Sequence, residues 1–285
     1  MPVVVTGAGG LVGGALLRRL VPLGGEVRAL VRSAADRDRL RPLVPKVATA
    51  DPEDVDTLAL MLHDAHTVVH LAGGLDLPDD DAYDLENRAT AAAAMEAAAE
   101  AGVRRFVLLS YPGASAGSAN PYLRAKGRAE EALASAEIPE RVIVRSTHVY
   151  GPGSRWLAAM RSLAKAPVAL VPGPGTQELA PVHVEDVAAV LVGADTRDGT
   201  VQGTFGLEGP DVVTMAGLLD LLAGRRRRPL GLAPNRAARL ARLAGRPWSE
   251  AMLEVLAADS RAEGPDAAAE FGVTRTPLRE GLAGA

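Results

Sequence analysis

Tyr122-Leu-Arg-Ala-Lys126 is the segment of this 285-residue chain best suited to proton chemistry. Residues at i and i+4 share one helix face, so the phenol and the ammonium can point into the same cleft. A free phenol, with a pKa of about 10, is a poor proton donor or acceptor at neutral pH, and an adjacent cation is expected to lower it toward a useful range. The same ammonium can hold the ribose hydroxyls of a nicotinamide cofactor. Only three basic residues are lysine (Lys46, Lys126 and Lys165) and only four residues are tyrosine, so the pair stands out from the composition. Just before it, Leu109-Ser110-Tyr111-Pro112-Gly113 brings two hydroxyls, Ser110 and Tyr111, and Ser115 offers a third.

A second constellation opens the chain. A β-branched run enters Thr6-Gly7-Ala8-Gly9-Gly10-Leu11-Val12-Gly13, with Gly7, Gly10 and Gly13 at i, i+3 and i+6. A turn that presses backbone N–H groups against a pyrophosphate has no room for a Cβ, and the following helix adds free N–H donors and the positive end of its dipole. Thr6, Gly7, Gly9, Gly10, Leu11, Val12 and Gly13 are therefore the expected dinucleotide contacts. The second strand ends Val31-Arg32-Ser33, without the carboxylate that usually takes the ribose hydroxyls of NAD. The forked guanidinium of Arg32 suits a 2′-phosphate, so NADP(H) is expected, with NAD as the second possibility. Asp51 is placed either for the adenine amino group or as a helix N-cap before Pro52. Leu71, Ala72, Gly73 and Gly74 are small enough to let ribose and nicotinamide approach the backbone. Residues 74–86 and 151–180 would close the pocket, with Gly74, Trp156, Leu157 and Met160 lining it.

The elements that must position these residues read clearly in the first half. Candidate strands at 3–5, 26–31, 46–48, 67–71, 105–109 and 141–145, several of them continuous apolar runs, alternate with helical stretches at 11–21, 34–41, 53–63, 84–101 and 122–136, the longest ended by Gly102. Such alternation predicts an α/β fold, a doubly wound parallel Rossmann sheet with right-handed crossovers. Residues 1–150 are read as the dinucleotide-binding domain. Residues 151–285 are read as a smaller, mainly helical substrate lobe, with short strands near 168–171 and 203–207 partly returning to the main sheet. The acidic stretch Asp76–Glu86 is expected as a mobile loop over the active face. Eight arginines between 225 and 246 are read as a solvated face, with an anion or nucleic-acid patch as the alternative.

Composition narrows the classes. Hydrophobic residues at 48% and charged residues at 23% exclude a disordered or fibrous chain. With no cysteine there are no disulfides, thiolate metal sites or thiol nucleophile. The histidines lack ligand spacing, so no metal is expected. A formal charge of −4 gives no global pull toward nucleic acid or anionic lipid. No apolar run is long enough for a membrane span and the chain starts directly in a strand, so a cytoplasmic protein with neither a nucleic-acid nor a membrane partner is expected.

The ordered set TGAGGLVG, LAGG, Asn87, YLRAK, RSTHVYGPG and PVHVEDVA resembles the short-chain dehydrogenase/reductase superfamily over essentially the whole chain. The likeness is to its extended and atypical branches, the NAD(P)-binding epimerase/dehydratase-like and NmrA-like proteins. The resemblance implies Tyr122 as acid/base, Lys126 as its modulator and ribose ligand, and Asn87 as a helix residue near the active site. It implies that 181–186 packs the second lobe on the first, with His183 structural and Asp186 an N-cap. It also allows a monomer or a homodimer through the fourth and fifth helices. The chain departs from the pattern where a Ser-Ser or Ser-Thr pair is usual: Tyr111 follows Ser110, leaving Ser110, Tyr111 or Ser115 to polarise a carbonyl. Ser146 stands where proline is usual, and the short interval from Ser110 to Tyr122 argues against sugar-nucleotide chemistry. The expectation is an NADP(H)-dependent oxidoreductase on a small to medium, largely apolar carbonyl compound. The alternatives are a non-catalytic NADP(H)-binding regulatory or assembly protein, and an epimerase or dehydratase with retained cofactor.

Overall fold

The computed structural model describes residues 1–51, 54–243, 245 and 248–285. Pro52, Glu53 and Arg246, which the readings of the third helix and of the arginine segment touched, lie outside the described residues. The first half runs β1 (Val3–Thr6), α1 (Leu11–Leu20), β2 (Val27–Val31), α2 (Ala34–Leu40), β3 (Lys46–Thr49), α3 (Val55–Leu62), β4 (Thr67–His70), α4 (Asp80–Tyr83), α5 (Thr90–Glu100), β5 (Arg105–Ser110), α6 (Pro121–Ser135) and β6 (Glu140–Ser146). There follow β7 (Val149–Tyr150), α7 (Arg155–Lys165), β8 (Leu170–Pro172), β9 (Glu178–Leu179), β10 (Val182–His183), α8 (Val184–Thr196), β11 (Gly203–Leu207), β12 (Val213–Thr214) and α9 (Met215–Ala223). The chain ends with β13 (Leu230–Leu232), α10 (Pro234–Leu243), α11 (Glu250–Ala257), α12 (Ala267–Glu270) and α13 (Leu278–Ala283).

Seven strands form one sheet in the order β11-β6-β5-β4-β1-β2-β3, every neighbouring pair parallel. This is the doubly wound Rossmann arrangement. The central strands are mostly apolar because both faces are covered, whereas the edge strand β3 is only partly buried, and side chains along the central strands alternate between two cores. Val3, Val5, Val107, Val142 and Val144 face α1 and α8. Val4, Val68, Phe106, Leu108 and Ile143 face α3, α5 and α6. The chain winds outward from β1 to β3 and returns to β4 on the other side of β1, which opens a crevice at the carboxyl ends of β1 and β4.

At the opposite end of the sheet, Arg105 and Glu140 begin β5 and β6 in register. Both are nearly fully buried and ion-paired at 2.5 Å, and Arg105 also donates to the carbonyls of Ala194, Asp195, Arg197 and Gly199. This pair fastens the end of α8 and the turn leading to β11 onto the sheet.

Three local expectations are corrected. Most of 76–86 is not a loop: Asp79 caps a helix that starts at Asp80, passes through a π-turn at Asp84–Ala89 and continues as α5. Asp54, not Asp51, caps α3, accepting from the Thr57 N–H at 3.0 Å. His183, not Asp186, caps α8, and Asp186 instead accepts from the backbone N–H and hydroxyl of Thr276.

Candidate active site

The turn after β1 is built from close approaches. Gly7 has φ +64, and a Cβ there would lie 2.6 Å from the backbone of Leu71 and Ala72 at the end of β4. At Gly13 a Cβ would lie 2.6 Å from Ala8 Cα, so this glycine seats α1 on the turn. Gly10 precedes α1 with no side-chain cap, leaving the N–H groups of Leu11, Val12 and Gly13 as the open end of the helix. A groove of about 310 Å³ lies over this turn, lined by Thr6, Gly7, Gly9 and Gly10 on one wall and by Arg32, Asp51, Leu71, Ala72 and Gly73 around it. An open helix N-terminus facing a Cβ-free cradle fits a dinucleotide pyrophosphate.

The adenosine side differs in detail from the sequence expectation. A carboxylate does reach this groove: Asp36, in the first turn of α2, lies over Gly9. It is engaged by Arg39 at 2.6 Å and Ser33 at 2.8 Å, and those hydrogen bonds hold it below the usual carboxylate range. Ser33 is thus the N-cap of α2, outside the groove lining, and Arg39 also donates to the Gly9 carbonyl at 2.8 Å. Arg32 stands at the rim with its side chain 63% exposed, paired with Glu86. On the groove's inner wall, Thr6 Oγ1 meets His70 Nδ1 at 2.9 Å, and burial, with a smaller push from Lys126, brings this imidazole down to about 3.

Leu71 and Gly73 are shared with a second cavity of about 230 Å³ that holds Ser110, Tyr111, Tyr122, Lys126, Asn87, Gly74, His148 and Trp156. Helix α6 begins here because Asn120 accepts from the N–H groups of Tyr122 and Leu123 while Pro121 fills the first turn. Asn120 also donates to Ala251 O and Glu254, tying α6 to α11. The i, i+4 spacing brings Tyr122 and Lys126 to the same cavity. Lys126 Nζ donates to Leu109 O at 3.1 Å, and burial pushes its pKa down to about 8.

Asn87, carried into the site by the π-turn, accepts from Gly74 N–H and donates to Gly74 O and Tyr83 O. Gly73, at φ +141, fits between: its Cβ would meet Asn87 Oδ1 at 2.5 Å and Lys126 Nζ at 3.3 Å.

The hydroxyls separate cleanly. Tyr111 Oη lies 2.9 Å from Ser260 Oγ and 3.1 Å from His148 Nδ1, so it is committed to a buried network. Ser110 Oγ is buried and has no partner among the described residues. Ser115 does not line the cavity; the backbone at 115–116 crosses Gly127 of α6, which has no space for a Cβ. The Tyr122 phenol corrects one expectation. Burial, reinforced by Tyr111 and Tyr83, pushes it above the ordinary tyrosine value, and no cation offsets this. It stays a neutral donor. Trp156 lines the cavity, whereas Leu157 and Met160 do not: they are turned into a separate core with Leu218 and Leu219 of α9. His148 and Ser260 join the site beyond the residues that sequence alone points to. His148 sits inside RSTHVYGPG and was within reach of that motif; Ser260 has no sequence signal.

Comparisons agree with this layout. Residues 7–196 match the family described as NAD(P)H-binding. NADH dehydrogenase (ubiquinone) 1 alpha subcomplex subunit 9, mitochondrial, of Arabidopsis thaliana is 31% identical over 229 residues, covering 76% of this chain and 56% of the relative. Ceramide reductase of Caulobacter vibrioides is 36% identical over 194 residues, covering 67% and 59%. The chain thus spans less than two thirds of these relatives' length. Among solved structures, gox2253 superposes with a TM-score of 0.77 at 24% identity, covering 99% of this chain and 96% of that one. MoeE5 in complex with UDP-glucuronic acid and NAD gives 0.75 at 25% identity, covering 100% and 97%. With its turn, sheet and motif order, the chain belongs to the NAD(P)H-binding family, in the extended branch of the short-chain dehydrogenase/reductase superfamily.

Proposed function

We propose that the protein is an NADP(H)-dependent oxidoreductase, of ketone/aldehyde reductase or alcohol dehydrogenase type, acting on a small to medium, largely apolar carbonyl compound. The observation that carries this reading is the meeting of Tyr122, Lys126 and the unpartnered Ser110 hydroxyl in one cavity that adjoins the dinucleotide groove. Nicotinamide, when bound, supplies or accepts a hydride. Arg32 takes the 2′-phosphate, and the turn at Gly7–Gly10 with the open end of α1 takes the pyrophosphate. Lys126, still mostly protonated at neutral pH, holds the ribose and keeps positive charge beside the reacting oxygen. Ser110 donates a hydrogen bond to the carbonyl oxygen, and the neutral Tyr122 phenol delivers the proton as alcohol forms. Trp156 and the edge-on tyrosine pair Tyr111–Tyr122 give the cavity an aromatic wall. The name of the Caulobacter relative supports a reductase acting on apolar-chain substrates.

Tyr122→Phe tests the assignment. NADPH oxidation across a panel of alkyl ketones and aldehydes should fall about a hundredfold or more, while the NADPH dissociation constant stays within about twofold. Unchanged turnover refutes the role.

A second reading, a non-catalytic NADP(H)-binding assembly or regulatory protein, is favoured by Tyr111 in the place of the usual second hydroxyl and by the name of the Arabidopsis relative. It predicts stoichiometric NADPH binding with no oxidation by any carbonyl in the panel. An epimerase with retained cofactor fits less well, because about 230 Å³ is small for a nucleotide sugar.

A further inference from the structure

The stretch 225–243 contains seven arginines and no acidic residue, in a chain whose formal net charge is −4. Arg225, Arg226, Arg228, Arg236, Arg239 and Arg242 are exposed, and no ion pair among the described residues includes them. A solvated basic face is common, but here it is interleaved with bare leucine. On α10, Ala238 is buried against Leu253 and Leu256 of α11. The opposite face presents Arg236, Arg239, Leu240 and Leu243 at i, i+3, i+4 and i+7, with Leu240 44% and Leu243 86% exposed. Next to it β13 pairs with β8, setting Leu230 opposite Leu170, both exposed, with Val168 close by. Of the ten large hydrophobic residues exposed among the described residues, five lie on α10, β13 and β8 or just before β8, elements that touch one another.

We propose that this corner docks peripherally on an anionic phospholipid surface. The guanidinium forks match lipid phosphates, and the leucines supply the apolar insertion that a purely electrostatic nucleic-acid face would not need. No described helix is long and apolar enough to cross a membrane, so the contact is interfacial. The whole-chain charge that argued against an anionic-lipid partner averages away a local excess of this size.

The placement also bears on the cavity. Helix α10 packs on α11, whose Ala251 and Val255 lie against Tyr111 and Tyr122, and Trp156 touches both sides. A carbonyl compound with an apolar chain would then reach the cavity from the bilayer. That extension rests on the proposed chemistry; the docking itself does not.

Flotation with vesicles of phosphatidylcholine alone, or of phosphatidylcholine with phosphatidylglycerol, tests the docking without measuring turnover. The wild type should float only with the anionic vesicles at about 0.1 M salt, and less at about 0.5 M. Leu240→Asp with Leu243→Asp should weaken binding about tenfold, and Arg236→Ser with Arg239→Ser and Arg242→Ser about a hundredfold. Leu60→Asp, at an exposed leucine of α3, should change nothing, and melting curves check that each variant folds. Absence of flotation with anionic vesicles overturns the proposal. So does full binding by the leucine variant, which would mark a mere polycation, or tighter binding to duplex DNA or tRNA than to vesicles. Leucine-dependent dimerisation without flotation would assign the corner to a second copy of this chain instead.

Discussion

Replacing Lys126 by methionine should stabilise the empty protein while disabling its proposed chemistry. Lys126 is 7% exposed, its ammonium donates to one carbonyl, and burial brings its pKa from 10.5 down to about 8. A lysine whose pKa is lower in the folded than in the unfolded state opposes folding wherever it is protonated. The penalty is full below about 8 and fades as pH rises toward 10.5, because the unfolded chain binds the additional proton in that window. The fall of about 2.5 in pKa corresponds to about 3 kcal/mol. Methionine gives up the bond to Leu109 O, worth about 1 kcal/mol, and fills similar volume, so the net gain at pH 7 is about 2 kcal/mol. Urea unfolding of the ligand-free proteins, followed by circular dichroism at pH 7 and pH 10, measures the difference between variant and wild type, in which other titrating groups cancel. The gap should shrink by most of its value at pH 10, and NADPH affinity should fall. A variant less stable than wild type at pH 7, or a gap equal at both pH values, refutes the reasoning.

Arg32→Ala should weaken NADPH about tenfold or more and leave NADH within about twofold, read by cofactor fluorescence; tighter NADH than NADPH binding in the wild type sinks the assignment. Gly73→Ala places a methyl 2.5 Å from Asn87 Oδ1 at a positive φ, so NADPH binding and thermal stability should both drop in titration and melting experiments. Glu140→Gln leaves Arg105 buried without its counter-charge and should cost about 3–5 kcal/mol, a fall of about 6–15 °C in a thermal melt at pH 7. Burial raises the Glu140 carboxyl, but hydrogen bonds from Arg104 and Arg105 outweigh it and leave the pKa below the ordinary value. Its contribution is therefore present above about pH 4.5 and lost as pH falls through the lower folded value, so melts in acid should bring the variant and wild type together.

The sheet was legible because short β-branched or apolar runs such as Val3–Val5, Thr67–His70 and Phe106–Leu109 alternate with alanine- and leucine-rich helical stretches, a signal that local sequence carries by itself. The glycine turn and the Tyr122–Lys126 pair were legible for the same reason: each is one short contiguous stretch, at the start of α1 and of α6. What failed depends on distant partners. Sequence places Leu157 and Met160 in the pocket with Trp156, yet a helix turns about 100° per residue, and only the position of α9 decides which face is core. Asp186 looked like a cap until Thr276, 90 residues away, claimed it. Arg32 gave no hint of Glu86, nor Tyr111 of Ser260. The lowering of the Tyr122 phenol was expected from proximity to Lys126, but burial, which spacing does not reveal, dominates.

Strand β11 closes the sheet against β6 although the chain makes α7, α8 and several short strands in between. During synthesis the β6 edge must therefore wait, its backbone donors open, until Gly203–Leu207 leaves the ribosome. The Arg105 anchor waits with it, since its carbonyl partners reach to Gly199. A nascent chain stalled before that point carries a complete glycine turn and Tyr122–Lys126 pair on a sheet with an unguarded margin. Such a chain should favour chaperone capture or edge-to-edge association over early cofactor loading.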